Sequence, residues 1–366
     1  MTIVSKVLTA LIAPLVAVVA AMLVTSLVVM LVGGSPLEFW QIIFSAPANR
    51  VWVNIVNQSS MIFLSGLAAA IGFRMNLFNI GVEGQYTLAS YAAAAFAGAA
   101  LLPGKLNTLA ALVVAVLVGA AWAGIAGVLK VTRGVSEVIS TIMLNAIATT
   151  LAGYFVLNYG QKYGSGRRTT PLPSSSEFSG WYPFTHADGA VWTLVIVALL
   201  AGIGFNVLLN RTRFGFDLRA TGMSETAAVA SGVSVHRMVI IAMMLSGGIA
   251  GLIWMPALFN GAHYYGPTFQ AGLGFIGIAV ALLGRNRPLG IMFGALLFAF
   301  LNEQSNRLTL ETDISPNVVQ ITQGVIVLAV VVAYEIVRRS RAAAERRAVT
   351  QKLEGPGVPK EEAVSA

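Results

Sequence analysis

Two groups of polar side chains stand out because each lies within a long apolar stretch. The first, in the segment 78–85 (FNIGVEGQ), contains Asn79, Glu83 and Gln85. A charged, unpartnered side chain costs about 2.5 to 3.5 kcal/mol at the centre of a bilayer, and an amide costs less. These groups could line a pathway and hydrogen-bond a polar solute, while Phe78 stacks on a ring. The alternative is structural: Asn79 caps a helix at the membrane surface and Glu83 faces the helix dipole.

The second group, Glu137, Thr141 and Asn145, recurs every four residues. On a helix this spacing puts all three side chains on one face, which we expect to point away from lipid. They are candidates for the same pathway. The alternative is that Ser136 caps the helix, Glu137 occupies its first turn, and Thr141 and Asn145 join neighbouring helices through hydrogen bonds.

Several classes of chemistry are excluded by what the sequence lacks. It has no cysteine, so disulfides, thiolate catalysis and cysteine metal sites are ruled out, and its three histidines are too scattered for a zinc site. It contains no GxxxxGK[ST] phosphate loop and therefore no Walker site for ATP. No nucleophile and base suggest themselves as a pair. We expect that the chain is not an enzyme and uses no cofactor or metal.

The elements that position these residues are membrane spans. Of the 366 residues, 57% are hydrophobic and 10% are charged, whereas a soluble domain carries about 25% charged residues. Apolar runs long enough to cross a hydrocarbon core of about 30 Å recur along the chain. We predict an all-α polytopic membrane protein with about ten transmembrane helices, near residues 7–32, 51–73, 81–102, 107–129, 136–157, 190–209, 237–257, 270–284, 288–302 and 316–337. The eighth and ninth runs are short, which predicts broken or re-entrant segments.

The distribution of charge gives the orientation. The net charge is +8, but the basic residues lie between apolar runs, which favours a membrane protein over a nucleic-acid-binding one. If the N-terminus is cytoplasmic, only six of the 23 basic residues fall outside, and all the others fall inside. The six are Arg50, Lys105, Lys162, Arg167, Arg168 and Arg307. The positive-inside rule therefore predicts that both termini are cytoplasmic. Ten spans divide into two five-helix halves of opposite orientation, as in transporters built from inverted repeats.

Two segments between spans are longer than a connection needs. Residues 158–189, on the outside, are rich in Gly, Pro, Ser and aromatic residues, and they form either a solvated loop with interfacial anchors or a docking surface for an external protein. Residues 210–235, on the inside, contain the run Ser224–Ser231, which favours a short helix that grips a partner. The transmembrane domain would occupy 1–337, followed by a basic cytoplasmic tail, 338–366, that is predicted to be disordered.

Four stretches resemble one known family: FNIGVEGQ at 78–85, EVISTIMLN at 137–145, FGFDLRATG at 214–222 and GIAVALLGRNRPLG at 277–290. They are similar to the permeases of bacterial ATP-binding-cassette (ABC) importers for simple sugars and nucleosides, which are related to the permeases for branched-chain amino acids. The resemblance covers Val51 to Val337 and is nearest to the nucleoside type. It implies a multi-pass protein of the bacterial inner membrane that works by alternating access.

The same resemblance implies partners and site residues. The partners would be a separate ATPase subunit, a second permease chain that is either a copy or a homologue, and an extracytoplasmic substrate-binding protein. The candidate pathway residues, identified above from their polarity within apolar runs, are Phe78, Asn79, Glu83, Gln85, Glu137, Thr141 and Asn145. The resemblance implies that coupling to the ATPase would use Glu225, Ala227, Ala228 and Gly232. Thr226 departs from the family pattern by separating Glu225 from Ala227. The rival hypothesis is a stand-alone ion-coupled secondary transporter, in which Glu83 or Glu137 exchanges an ion.

Overall fold

The computed structural model describes residues 19–312, 315 and 317–353 of the chain. The helices in this part are α1 Val19–Leu31, α2 Pro36–Ile43, α3 Asn49–Arg74, α4 Val82–Gly98, α5 Gly104–Arg133, α6 Glu137–Tyr159, α7 Val195–Arg211, α8 Arg213–Met223, α9 Glu225–Ala230, α10 Val235–Gly251, α11 Met255–Ala257, α12 Leu273–Leu283, α13 Pro288–Glu311 and α14 Asn317–Leu353. Two compact units result, one comprising Leu37–Pro316 and the other Met1–Pro36 with Asn317–Ala366. The predicted site residues all belong to the first unit.

Long apolar helices confirm the helical membrane fold. Within the part of the chain that the structure describes, four stretches have the length and hydropathy of a span, namely α3, α5, α6 and Val235–Ala262, which ends in a π-helical turn. The pair α7 and α8 would be a fifth, although the two helices are bent by 71°. Shorter apolar helices are Val19–Leu31, Leu273–Leu283 and Asn317–Ala333. Each of the ten predicted runs contains a helix, whereas the number of membrane crossings stays a prediction.

Some boundaries differ from the predicted ones. Helix α13 ends at Glu311 rather than near 302, and in its added length Gln304 Nε2 donates to the carbonyl oxygens of Ile42 and Ile43 at the end of α2 (3.1 and 3.0 Å). Helix α14 continues to Leu353, and its run of Ala, Arg and Glu favours helix well into the tail for which the sequence predicts disorder. The start of the first predicted run and the end of the tail lie outside the described residues.

Helix α3 forms the centre of the first unit. Of its most apolar window, 89% is buried inside the protein, against 33% for α5 and 22% for α6. Helices α12 and α13 pack on α3, and α4 and α5 pack on α10. The crossing of α5 and α10 is so close that a Cβ atom on Gly119 would collide with the carbonyl group of Gly247. Small residues are what allow helix backbones to approach in this way.

The long segment between α6 and α7 is attached to the helical unit rather than free. It contains an antiparallel hairpin, β1 Gln161–Tyr163 and β2 Gly166–Arg168, so the fold is not purely helical. Three backbone hydrogen bonds then join this segment to the end of the π-helical stretch: Thr169 N to Tyr265 O, Leu172 N to His263 O and Phe178 N to Phe259 O. The segment is therefore ordered, and this is compatible with both alternatives from the sequence, a solvated loop with interfacial anchors and a docking surface for an external protein.

The contact between α5 and α10 predicts a stability effect. Gly119→Ala should lower the free energy of unfolding by about 1–3 kcal/mol, because the opposing carbonyl of Gly247 belongs to the backbone and cannot rotate away. This loss should outweigh the ~1 kcal/mol by which Ala favours a helix over Gly. The control is Gly153→Ala on α6, where a Cβ atom meets nothing within 4 Å. Thermal unfolding in detergent measures both, and an unfolding temperature for Gly119→Ala at or above that of the control would contradict this packing.

Candidate functional site

The site is built around a break between two helices. Helix α3 ends at Arg74 and α4 begins at Val82, and the residues between them, 75–81, are called here the α3–α4 break. Asn76 has a positive φ of 58°, and the backbone N–H groups of Met75 and Leu77 both donate to Gly72 O (2.9 Å each). Within a membrane such irregular backbone is tolerated only where it is buried in protein or lines a cavity. The polar residues of the FNIGVEGQ segment supply the hydrogen bonds that this requires.

Asn79 and Gln85 form a reciprocal amide pair. Asn79 Nδ2 donates to Gln85 Oε1 (3.0 Å), and Gln85 Nε2 donates to Asn79 Oδ1 (2.8 Å). Asn79 also accepts from Gly81 N (3.0 Å) and donates to Ser246 Oγ (2.8 Å), which in turn donates to Ala68 O (2.6 Å). Both amides are about 1% exposed. The pair therefore joins the break to α10 and α3.

Asn145 fastens the break to α6. Its Oδ1 accepts from Gly84 N (2.8 Å), and its Nδ2 donates to Ile80 O (2.9 Å). The second of these partners belongs to the break, and the first lies in the opening turn of α4. This is the interhelical role that the structural alternative gave to Asn145. In the described structure, one N–H of the Asn145 side chain and its carbonyl oxygen both form hydrogen bonds with the backbone of the same chain.

Glu83 lies at the start of α4 and binds the start of α12. Its two carboxylate oxygens accept from the N–H groups of Gly272 (2.7 Å) and Gly274 (2.9 Å). Tyr86 Oη lies 3.1 Å from Oε1 and also donates to Gln270 O (2.9 Å). A carboxylate at a helix N-terminus is stabilised by the unpaired N–H groups and by the helix dipole. Glu83 does face a helix dipole, as the structural alternative held, but the dipole is that of α12.

The face of α6 predicted from the four-residue spacing is confirmed. Glu137, Thr141 and Asn145 are buried, whereas Ile142 and Met143 on the other side of the helix are exposed. Ser136 precedes the helix but makes no side-chain cap, so that part of the structural alternative is wrong. The described geometry instead pairs Glu137 with a cation from the preceding helix.

That cation is Lys130, near the end of α5. Its Nζ lies 2.6 Å from Glu137 Oε2, and the other oxygen of Glu137 lies 3.5 Å from Phe78 N in the break. Thr141 Oγ1 donates to the carbonyl oxygen of Glu137 (2.6 Å), so its hydroxyl is used within its own helix. The pair closes the α5–α6 turn and places a charge next to the break.

Phe78 differs from the other predicted pathway residues. It is 47% exposed and meets Phe73 edge-on with ring centroids 5.3 Å apart, whereas the six polar side chains are buried at 9% exposure or less. Ser246, Tyr86 and the N-terminus of α12 were not predicted. Ser246 and Tyr86 each stand in an apolar run, and nothing in their sequence context distinguishes them from side chains that merely pack in the core. None of the described residues forms a group of three or more His, Cys, Asp or Glu side chains that could hold a metal ion.

A second feature lies at the end of α6 that is predicted to be external. A cavity of about 580 Å³ is bordered there by α6, the β1–β2 hairpin and Tyr265, with Lys162 and Arg167 among the residues that line it. From Tyr265 an unbroken series of ring contacts passes through Phe269 (4.7 Å) to Tyr86 (5.4 Å) and so reaches Glu83. The cavity has the size of a small-molecule site, which typically ranges over about 300–1,000 Å³.

The predicted partner helix is present as α9. Ser224 precedes it and its Oγ accepts from Ala227 N (3.3 Å), so Ser224 acts as the N-cap. Gly232 follows with φ +83°, and the N–H groups of Gly232 and Val233 close the helix end on the carbonyls of Val229 and Ala228. Positive φ is a conformation that glycine adopts without strain.

Only some of the residues predicted to couple to the ATPase lie on the exposed face of α9. Glu225 and Ala227 are exposed, as is Val229 at 61%, which was not predicted. Ala228 is 2% exposed and therefore packs inside the chain. Any partner must contact the exposed side chains, while Ala228 seats the helix on its own protein.

Comparison with known proteins gives one family and a consistent group of relatives. The family model described as the permease component of the branched-chain amino acid transport system matches residues 51–341. The guanosine ABC transporter permease protein NupP of Bacillus subtilis is 33% identical over 90% of this chain and 96% of its own length. The nucleoside ABC transporter permease protein NupB of Lactococcus lactis is 27% identical over 88% and 91%. The ribose import permease protein RbsC of Escherichia coli is 27% identical over 70% and 77%.

The Glu83 contact predicts the effect of an isosteric change. Glu83→Gln leaves one acceptor oxygen and turns an NH₂ group towards a backbone N–H of Gly272 or Gly274, so one N–H loses its partner. The free energy of unfolding should fall by about 1–3 kcal/mol, and amide hydrogen exchange at the start of α12 should accelerate. Glu303→Gln is the matched control, because Glu303 accepts from Asn54 Nδ2 through one oxygen (3.1 Å) that glutamine retains. Equal unfolding temperatures for the two variants would refute the bracing role of Glu83.

Proposed function

This chain belongs to the branched-chain amino acid transport system permease family, and from that premise we propose that it is the membrane subunit of an ABC importer for nucleosides, driven by an ATPase on a separate subunit. The observation that carries the proposal is similarity over 90% of the chain to a relative named for guanosine. A second relative named for nucleosides matches over 88%. Simple sugars are the second substrate class, because a relative named for ribose also matches.

The packing of the helices supports two inverted halves. If α3 is exchanged with α10, α4 with α12 and α5 with α13, the main contacts between the halves correspond. The contact of α5 with α10 corresponds to that of α13 with α3, and the contact of α4 with α10 corresponds to that of α12 with α3. The contact of Glu83 between α4 and α12 then lies between two equivalent helix N-termini. A pseudo-two-fold arrangement of broken helices is a transporter architecture, in which the halves rock to give alternating access.

The pathway is best assigned to surfaces other than the bonded polar groups. Asn79, Gln85 and Asn145 each engage partners within the chain, so a solute that used them would have to displace bonds that hold the break together. Phe78 is exposed beside the break, and Tyr265 lines the cavity at the other end of α6. Aromatic rings at both positions suit the flat base of a nucleoside.

The bonding of Glu83 and Glu137 argues against the alternative of an ion-coupled secondary transporter. A residue that exchanges a proton or a sodium ion needs oxygens that the ion can reach. Both oxygens of Glu83 accept backbone bonds, and Glu137 is paired with Lys130 at 2.6 Å. A secondary carrier would also leave the exposed face of α9 without a role.

The positive-inside pattern supports a cytoplasmic position for α9. Arg211, Arg213, Arg219 and Arg237 flank it. An ATPase subunit would therefore meet α9 on the inside of the bacterial inner membrane. The hairpin and the attached outer segment would face the extracytoplasmic binding protein, and a second permease chain would complete the pathway.

The first test is composition and energy source. A tagged chain purified from its host membrane should retain an ABC ATPase, and proteoliposomes of the complex should accumulate radiolabelled guanosine only with ATP. Unlabelled nucleosides should compete, whereas free ribose and leucine should compete far less. Uptake that needs an ion gradient and no ATPase would contradict the importer, and preferential competition by ribose would reassign the substrate.

The second test concerns α9. Ala227→Trp puts a bulky side chain on the exposed face and should weaken ATPase retention at least tenfold, about 1.4 kcal/mol, without changing the fold. The control is Ala99→Trp, an exposed alanine at the end of α4 that is predicted to lie on the opposite side of the membrane. Retention is measured by pull-down, and ATPase activity and uptake in the same proteoliposomes. Undiminished retention and coupled uptake in Ala227→Trp would show that α9 is not the contact.

A further inference from the structure

Two arginines from other elements lie within electrostatic range of Arg74, at the end of α3 that is predicted to be cytoplasmic. Arg74 ends α3, Arg219 lies on α8, and Arg287 immediately precedes α13. The Arg74 guanidinium donates through Nε and Nη2 to the carbonyl oxygen of Asn286 (3.1 and 2.8 Å), which fixes it against the α12–α13 turn. Arg219 and Arg287 both lie close enough to repel the charge of Arg74. These three side chains are called here the arginine cluster.

The close fit of α8 holds the cluster together. A Cβ atom on Gly222, one turn beyond Arg219, would lie 2.7 Å from the carbonyl oxygen of Arg74 and 2.8 Å from Met75 Cα. Backbone therefore touches backbone where α8 crosses the end of α3. Helix α8, which carries Arg219, runs directly into Ser224, the N-cap of α9.

The positive charge of the cluster is not neutralised within the described chain. The ion pairs seen among the described residues include Lys130 with Glu137, His263 with Glu177, and Arg307 with Glu311, and none of these three includes a cluster member. Arg219 Nη1 is buried and has no hydrogen-bond partner among the described residues. Asp217 is two residues from Arg219 on α8 and so projects from a different side of the helix. Like charges held close together without a counter-ion repel one another, which favours an anion supplied from outside.

Two kinds of anion could neutralise the cluster, lipid phosphates and protein carboxylates, and the position of the cluster decides between them. Lipid phosphates surround the perimeter of a membrane protein, but α3 is the most enclosed of the four long spans, so other helices of the chain separate it from lipid along most of its length. A cytoplasmic protein that covers this face can reach it. Guanidinium groups bind carboxylates through paired, charge-assisted hydrogen bonds, for which arginine is better suited than lysine.

We propose that the arginine cluster is a docking site for acidic side chains of the ATPase subunit, separate from the contact made by α9. The proposal rests on the proposed function. It gives the ATPase two points of attachment to the permease: the exposed face of α9, and a carboxylate contact at the junction of α3, α8 and the α12–α13 turn.

The test uses lysine as a reporter of a neighbouring carboxylate. In the purified complex, Arg219→Lys or Arg287→Lys is treated with a water-soluble carbodiimide, which joins the lysine Nζ to a carboxylate in direct contact as an amide while the carbodiimide takes up the lost water to become a urea. Both variants should give a permease–ATPase adduct above the wild-type background, mapped by mass spectrometry to an Asp or Glu of the ATPase. Arg213→Lys, exposed at the start of the same helix, is the control and should give none.

A second measurement covers loss of affinity. Arg287 is exposed, so Arg287→Glu should leave the fold intact and lower ATPase affinity at least about tenfold, and the affinity of the wild type should fall with rising NaCl. Retention without adducts and without a charge effect would overturn the proposal. It would equally be overturned if, in nanodiscs with and without phosphatidylglycerol, the cluster affected only the response to that lipid. A wild-type chain that retains no ATPase would instead refute the proposed function itself.

Discussion

The structure depends on the need to satisfy backbone groups where helices break inside an apolar environment. Two N–H groups at the start of α12 have no partner in their own helix, and the carboxylate of Glu83 accepts both. In lipid no water can replace such a partner, so the alternative is an unsatisfied group that costs several kcal/mol. The negative charge is stabilised in return by the dipole of α12. One side chain therefore permits two broken helices to meet end to end in the interior of the protein.

The remaining polar residues extend the same principle to the other side of the break. Asn79 and Gln85 satisfy each other and reach Ser246 on α10, and Asn145 satisfies the backbone of Ile80 and Gly84. These groups are polar because the backbone they serve is irregular. The same polar residues that the sequence marks as a candidate pathway thus act in the structure as its framework, because each of them bonds to groups of its own chain.

How much of this the sequence could predict depends on the distance between partners along the chain. The buried face of α6 was predictable, because Glu137, Thr141 and Asn145 share a helical period, and so was α9, because its cap and its terminating glycine lie within nine residues. The partners of Glu83 were not, since they lie 189 and 191 residues away and are backbone groups without a sequence signature. The contacts made by the added length of α13 were not predictable for the same reason, because Gln304 binds carbonyls 261 and 262 residues away.

The contacts also constrain how a force applied at α9 can reach the membrane. Helix α9 follows α8 through a single capping residue, and α8 touches the last turn of α3 backbone to backbone at Gly222. That turn leads into the α3–α4 break, whose far end carries Glu83 and its bonds to α12. Close-packed backbone contacts transmit displacement because they cannot be compressed. A movement of α8 must therefore have one of two results. Either the α3–α4 break and α12 shift together, or the hydrogen bonds between Glu83 and the start of α12 break, which costs more free energy in lipid. Under the coupling proposed above, the bonds of Glu83 would therefore keep the start of α4 and the start of α12 together when α8 is displaced.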